Sequence, residues 1–92
     1  MTDTVNIAIT KTAYAEIAAV GAQGLYSNPY PDDCIYIAYA AAQPAATFLG
    51  HSLLPHKGHD FTLSPNGTAK IWARFSDESL RQTGVIVVSL GW

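Results

Sequence analysis

Short runs of alternating apolar and polar residues, cut by turn signals about every ten positions, constrain this chain more than any other feature. In Thr4-Val5-Asn6-Ile7-Ala8-Ile9-Thr10, Val5, Ile7 and Ile9 fall on one face, Asn6 and Thr10 on the other. Cys34–Ala40 sets Ile35, Ile37 and Tyr39 on one face and is apolar on both, as a central strand is. Asp60–Ser64 alternates with period two, and Ala69–Phe75 sets Ile71, Ala73 and Phe75 against Lys70, Trp72 and Arg74. Val85–Leu90 is β-branched and almost unbroken. Thr47–Leu54 reads as a weaker strand interrupted by Gly50, and Pro55-His56-Lys57-Gly58 as a turn. Pro65-Asn66-Gly67 tolerates the positive φ of a tight turn and predicts a hairpin between the strands on either side.

Two stretches are less decided. Thr12–Val20 has the Ala content of a helix, with Thr12 as N-cap and Gly21 as stop. As a strand it places Ala15, Ile17 and Ala19 on one face, Tyr14 and Glu16 on the other. Two turns of helix are marginal alone, and we carry the strand forward. Gly21–Asp33, with two Gly and two Pro, is expected to be mostly loop, the Gly21-Ala22-Gln23-Gly24 spacing included. The whole predicts an all-β chain, a small antiparallel β-sandwich of about six to eight short strands, jelly-roll-like or immunoglobulin-like, in one domain over residues 1–92. A chain of 9.8 kDa hides roughly 9,000 Å² on folding. That is enough for one core without an internal disulfide, which the single Cys34 cannot form.

Charge narrows the function. Five Lys+Arg against seven Asp+Glu give a net charge of −2, so no basic excess draws in nucleic acid or an anionic membrane, and neither is expected as a partner. No apolar run reaches membrane-spanning length. Met1-Thr2-Asp3-Thr4 lacks the positive start of a signal peptide, and none is expected. Only 13% of residues are charged, about half the usual share. A surface made of Ala, Thr, Ser, Gly and aromatic residues suits a protein packed against copies of itself or against a larger body.

Residues with chemical potential are few. There is no Gly-x-Ser-x-Gly elbow, and Cys34, at the head of an apolar strand, reads as a small buried hydrophobe. No catalytic residue is assigned, and the chain is read as a non-enzyme. His51, His56 and His59, with Asp60 adjacent, match no zinc spacing and are expected to be solvated on a turn, so no metal or cofactor is assigned. Tyr36 and Tyr39 lie on opposite faces of one strand and cannot make one platform. Tyr26 and Tyr30, both in the loop, can stack a sugar ring, which supports an alternative reading as a carbohydrate-binding or fibre-attachment module.

The order of an Ala-rich segment ending in Gly21, a strand closing on Ala42-Gln43-Pro44-Ala45, then Asn66-Gly67-Thr68-Ala69-Lys70-Ile71-Trp72-Ala73-Arg74 and Thr83-Gly84-Val85-Ile86-Val87-Val88 resembles the short β-sandwich structural proteins of tailed-phage virions. The resemblance runs from about Ala13 to Leu90 and departs at the Pro-rich Asn28–Asp33 loop and the histidine-bearing Gly50–Asp60 segment. It implies a capsid decoration (cement) protein or a head or tail-fibre module, made in the host cytoplasm and placed on the capsid surface. Its implied partners are the major capsid protein and copies of itself, as a homo-oligomer that is trimeric by analogy. Trp72 and Trp92 are the first candidates for the interface, because tryptophan is enriched at binding hot spots. Arg74 and Lys70 share the face of Trp72, and Tyr26 and Tyr30 follow as loop contacts.

Overall fold

The computed structural model describes residues 3–91, so Trp92 lies outside the described residues. Eight strands follow one another: β1 (Asp3–Thr10), β2 (Ala15–Ala18), β3 (Gln23–Ser27), β4 (Ile35–Ala40), β5 (His51–Leu53), β6 (Gly58–Thr62), β7 (Lys70–Phe75) and β8 (Thr83–Leu90). Among the described residues there is no helix. One sheet has the order β1-β8-β3-β6 and the other β2-β7-β4-β5, with every pairing antiparallel. The first strand pairs with the last, the second with the seventh, the third with the sixth and the fourth with the fifth. The chain is therefore one long ribbon doubled back between β4 and β5 and rolled so that its turns stack as two sheets. An immunoglobulin sandwich keeps its first two strands in one sheet. Here β1 and β2 lie in different sheets, and the order is that of a jelly roll.

The alternation read from the sequence builds the core. Ile35 and Ile37 of β4, Ile71, Ala73 and Phe75 of β7, and Ile86 and Val88 of β8 are all enclosed between the sheets. On β1 the inward face fades along the strand: Ile9 is buried, Ile7 half-buried and Val5 exposed. The Thr12–Val20 stretch holds a strand, as carried forward, but a bulge between Glu16 and Ala18 shifts its register, so Ala18 turns inward beside Ile17 and Ala19 is left outside. The exposed area of 5168 Å² matches the ~5,200 Å² of a compact monomer of this mass. The core is closed without a partner.

Three expectations are corrected. Gly21–Asp33 is not mostly loop, because β3 lies within it, between β8 and β6. Its glycine hid it: Gly24 stands opposite Leu90, where a Cβ would collide with the Ser89 carbonyl, so a strand breaker by composition is here what lets two strands approach. Asn66–Gly67 does form a turn, with the Gly67 N–H donating to the Ser64 carbonyl at 3.2 Å, but no hairpin results. The strand before it belongs to one sheet and the strand after it to the other, so the turn begins a crossover. The weak strand at Thr47–Leu54 shrinks to His51–Leu53.

Candidate functional site

A cleft of about 740 Å³ opens at the edge of the sandwich where β5 and β6, the outermost strands of the two sheets, come together. Tyr26 of β3, Tyr39 of β4 and His59 of β6 reach it from the strands, and Phe48 and Leu49 close it from the β4–β5 connection. Strand parity explains the first three. Tyr39 follows Ile35 and Ile37 on the inward face but stands beyond the point where the sheets close, and His59 precedes Phe61 on the inward face of β6 in the same way. Among the described residues, no Lys, Arg, Asp or Glu lines the cleft.

Inside it the aromatic rings are ordered on one another. The Tyr26 ring stacks on His59 at 5.7 Å and on Phe61 at 5.8 Å between centroids, and its hydroxyl lies 3.2 Å from that of Tyr39. Burial first, then the hydrogen bond to Tyr39, pushes the Tyr26 phenol well above its ordinary range. Among the described residues, no hydrogen bond or ion pair within the chain engages the imidazoles of His51 and His59 or the hydroxyl of Ser52.

The outer wall is held from behind. A Cβ at Gly50 would run into the backbone of Ile37, so glycine alone lets this segment lie flat on β4. The Tyr14 hydroxyl donates to the Phe48 carbonyl at 2.7 Å and accepts the Gly50 N–H at 3.1 Å. The same carbonyl accepts Arg74 Nη2 at 3.4 Å. Arg74 lies on the outer face of β7 with its side chain only 1% exposed, its guanidinium 5.2 Å from the Tyr14 ring and 4.9 Å from the Tyr36 ring. Its Nη1 donates to the carbonyls of Phe75 and Lys11 and to Asp77 Oδ1 at 2.9 Å.

The residues singled out in the sequence therefore take different places. Arg74 is enclosed by its own chain and cannot touch a partner directly; it positions the wall of the cleft. Its expected place on an interface came from its outward parity, which is correct, but the Tyr14 and Phe48 segments cover it. Lys70 pairs with Glu16 at 3.2 Å on the open surface. Trp72 is half-buried, and its indole N–H donates to the Ala40 carbonyl at 3.0 Å. Tyr26 and Tyr30 do not make a loop platform: Tyr26 belongs to β3 and is buried, and Tyr30 packs on Phe75 at 5.6 Å under the Arg81 guanidinium. The Tyr30 hydroxyl accepts the Val85 N–H at 2.9 Å, and Arg81 Nε lies 2.6 Å from Asp33 Oδ2. Cys34 is half-buried at the end of the loop before β4.

Of the three histidines, His51 and His59 share the cleft, while His56 sits on the predicted turn with φ of 58°. Among the described residues, no three His, Cys, Asp or Glu side chains converge as metal ligands. Phe48 and Leu49 escaped the sequence reading; the signal for them was an apolar pair directly before a glycine in a segment too short to be a core strand. Compared with known proteins, the chain matches no family model, no curated protein and no solved structure.

Proposed function

We propose that this chain is a non-enzymatic structural module that works by self-association and by binding a larger protein shell, as the capsid decoration proteins it resembles do. One observation carries the reading. Large apolar side chains stand in solvent on a chain with 13% charged residues: Leu80 is 92% exposed, Leu49 63% and Phe48 52%, and Val5, Val20, Tyr39 and Leu54 are exposed as well. Tyr39, Phe48 and Leu49 meet in the cleft, while Val5 on β1, Val20 in the β2–β3 connection, Leu54 in the β5–β6 connection and Leu80 in the β7–β8 connection lie outside it, on different segments. A single partner covers one patch; a dispersed set suits several neighbours at once.

The free side of β1 adds support. It is the edge of its sheet and carries no charged residue and no proline from Thr4 to Thr10, although sheet edges are ordinarily blunted by such residues. In this role the sandwich is a rigid block that binds the assembled shell better than the open one and so shifts the equilibrium towards assembly.

Sedimentation velocity at micromolar concentration tests the first half of the proposal. A species heavier than the 9.8 kDa chain is expected, a trimer if the analogy holds. The second half predicts the chain in stoichiometric amounts in purified native particles. A chain that sediments only as a monomer and is missing from particles overturns the proposal.

A further inference from the structure

We infer that the cleft between β5 and β6 is a binding site for a neutral saccharide. The inference shares Tyr39, Phe48 and Leu49 with the assembly reading, and the experiment below separates the two. Its volume of about 740 Å³ falls within the roughly 300–1,000 Å³ of small-molecule sites. It is also built in advance: four hydrogen-bonded strands line it, and the β4–β5 connection that closes it is clamped by Tyr14 and Arg74.

The lining selects the ligand by elimination. Among the described residues no Lys, Arg, Asp or Glu is on its walls, so the cleft offers a charged ligand no permanently ionised side chain. A pure hydrocarbon fits no better, because it strips water from His51, Ser52, His59 and the Tyr39 hydroxyl and returns no hydrogen bond. A pyranose matches both halves. Its C–H face carries slight positive charge and lies against the negative face of an aromatic ring, here that of Phe48 or Tyr39. Its rim of hydroxyls both donates and accepts, as imidazole nitrogens and tyrosine and serine hydroxyls require. The buried Tyr26 hydroxyl, 3.2 Å from that of Tyr39, holds the Tyr39 hydroxyl in place.

The test is a titration of the ¹⁵N-labelled full chain with methyl β-glucoside, methyl β-galactoside, methyl α-mannoside and N-acetylglucosamine, with N-acetylneuraminic acid as the charged control. Saturable amide shifts confined to residues 37–39, 48–53 and 59 are expected with at least one neutral sugar, at a Kd of about 1 mM. Phe48→Ala removes an aromatic wall and is expected to weaken binding about tenfold. His51→Ala, an exposed position on an edge strand, is expected to do the same if Phe48→Ala does not fold. Leu80→Ala, which is not part of the cleft, is expected to leave binding unchanged. The inference is overturned if no neutral sugar shifts the cleft, if N-acetylneuraminic acid binds as tightly as the best of them, or if dilution alone moves the same amides. That last result assigns the cleft to a second copy of the chain, and sedimentation, which reports self-association only, separates it from a failure of the assembly proposal.

Discussion

The outer face of β7 and the cleft between β5 and β6 are made from nearly the same parts. Each joins two tyrosines to a nitrogenous side chain: Tyr14 and Tyr36 lie against the Arg74 guanidinium, and Tyr26, its hydroxyl 3.2 Å from that of Tyr39, stacks on the His59 imidazole. The first group is closed. Its cation is covered by the chain, hydrogen-bonded to backbone carbonyls on three segments and wedged between rings. The second group is open, with Tyr39 and Phe48 half in solvent and its imidazoles free of hydrogen bonds within the chain. Phe48 belongs to both: its carbonyl and ring meet Tyr14 of the closed group, and the residue also lines the open one. Aromatic pairs of this kind become internal structure where the chain supplies what fits between them, and recognition surface where it does not.

Arg74→Ala attacks the closed group at its centre and carries the largest expected effect. It leaves a cavity between two rings and carbonyls without a donor, at a cost of about 3 kcal/mol in urea denaturation. Asp77→Asn is expected to cost less than about 1 kcal/mol, because that carboxylate is 62% exposed and the pair is screened by water. Equal losses from the two variants would mean that the ion pair, not the rings and carbonyls, holds the group together.

Tyr14→Phe sharpens the link between the two regions. It removes one hydroxyl that bridges Phe48 and Gly50, with an expected cost of about 1 kcal/mol. The more telling readout is faster hydrogen exchange at the Gly50 amide, with the β7 amides unchanged. If Gly50 exchanges at its original rate, the wall of the cleft is held by something other than the closed group.

The smallest effect concerns the open group. The Tyr26 phenol is raised above its ordinary value of 10.0 by burial and by Tyr39. Between pH 10 and the folded-state value the folded chain therefore keeps a proton that the unfolded chain has lost. The stability this contributes is fully present below pH 10 and falls as the pH rises beyond it. Denaturation midpoints measured across that alkaline range are expected to drop, and less steeply in Tyr26→Phe. An ultraviolet titration in which Tyr26 ionises together with exposed tyrosines would place it outside the cleft.

Much of the fold was legible because alternation with period two is a local signal. Ile71, Ala73 and Phe75, or Ile35 and Ile37, face inward wherever their strand is placed. Pairing is not local. Asn66–Gly67 announces a turn but says nothing of which sheet receives the next strand, and β6 instead finds its partner in β3, a strand that Gly24 disguised as loop. The candidate site was legible only in pieces. His51 and His59 drew notice for their proximity in sequence, and Tyr26 and Tyr39 for their rings, but four different strands and a connection had to meet before these residues shared a space. Arg74 shows the same limit from the other side: its parity on β7 is plain, while the segments that cover it come from residues 11–14 and 48, far away in the chain.

The pairing of the first strand with the last has a consequence for how the molecule is made. β1 leaves the ribosome before the other seven strands and meets β8 only after all the intervening residues have been added, a delay of roughly 4 to 15 s at ordinary elongation rates. The β4–β5 ribbon at the fold's midpoint can zip as soon as it emerges, and closure then spreads outwards, so assembly of the sandwich ends at the strand made before the other seven. For that interval Ile7 and Ile9 have no strand beside them, and the nascent chain exposes apolar side chains that the finished sandwich covers.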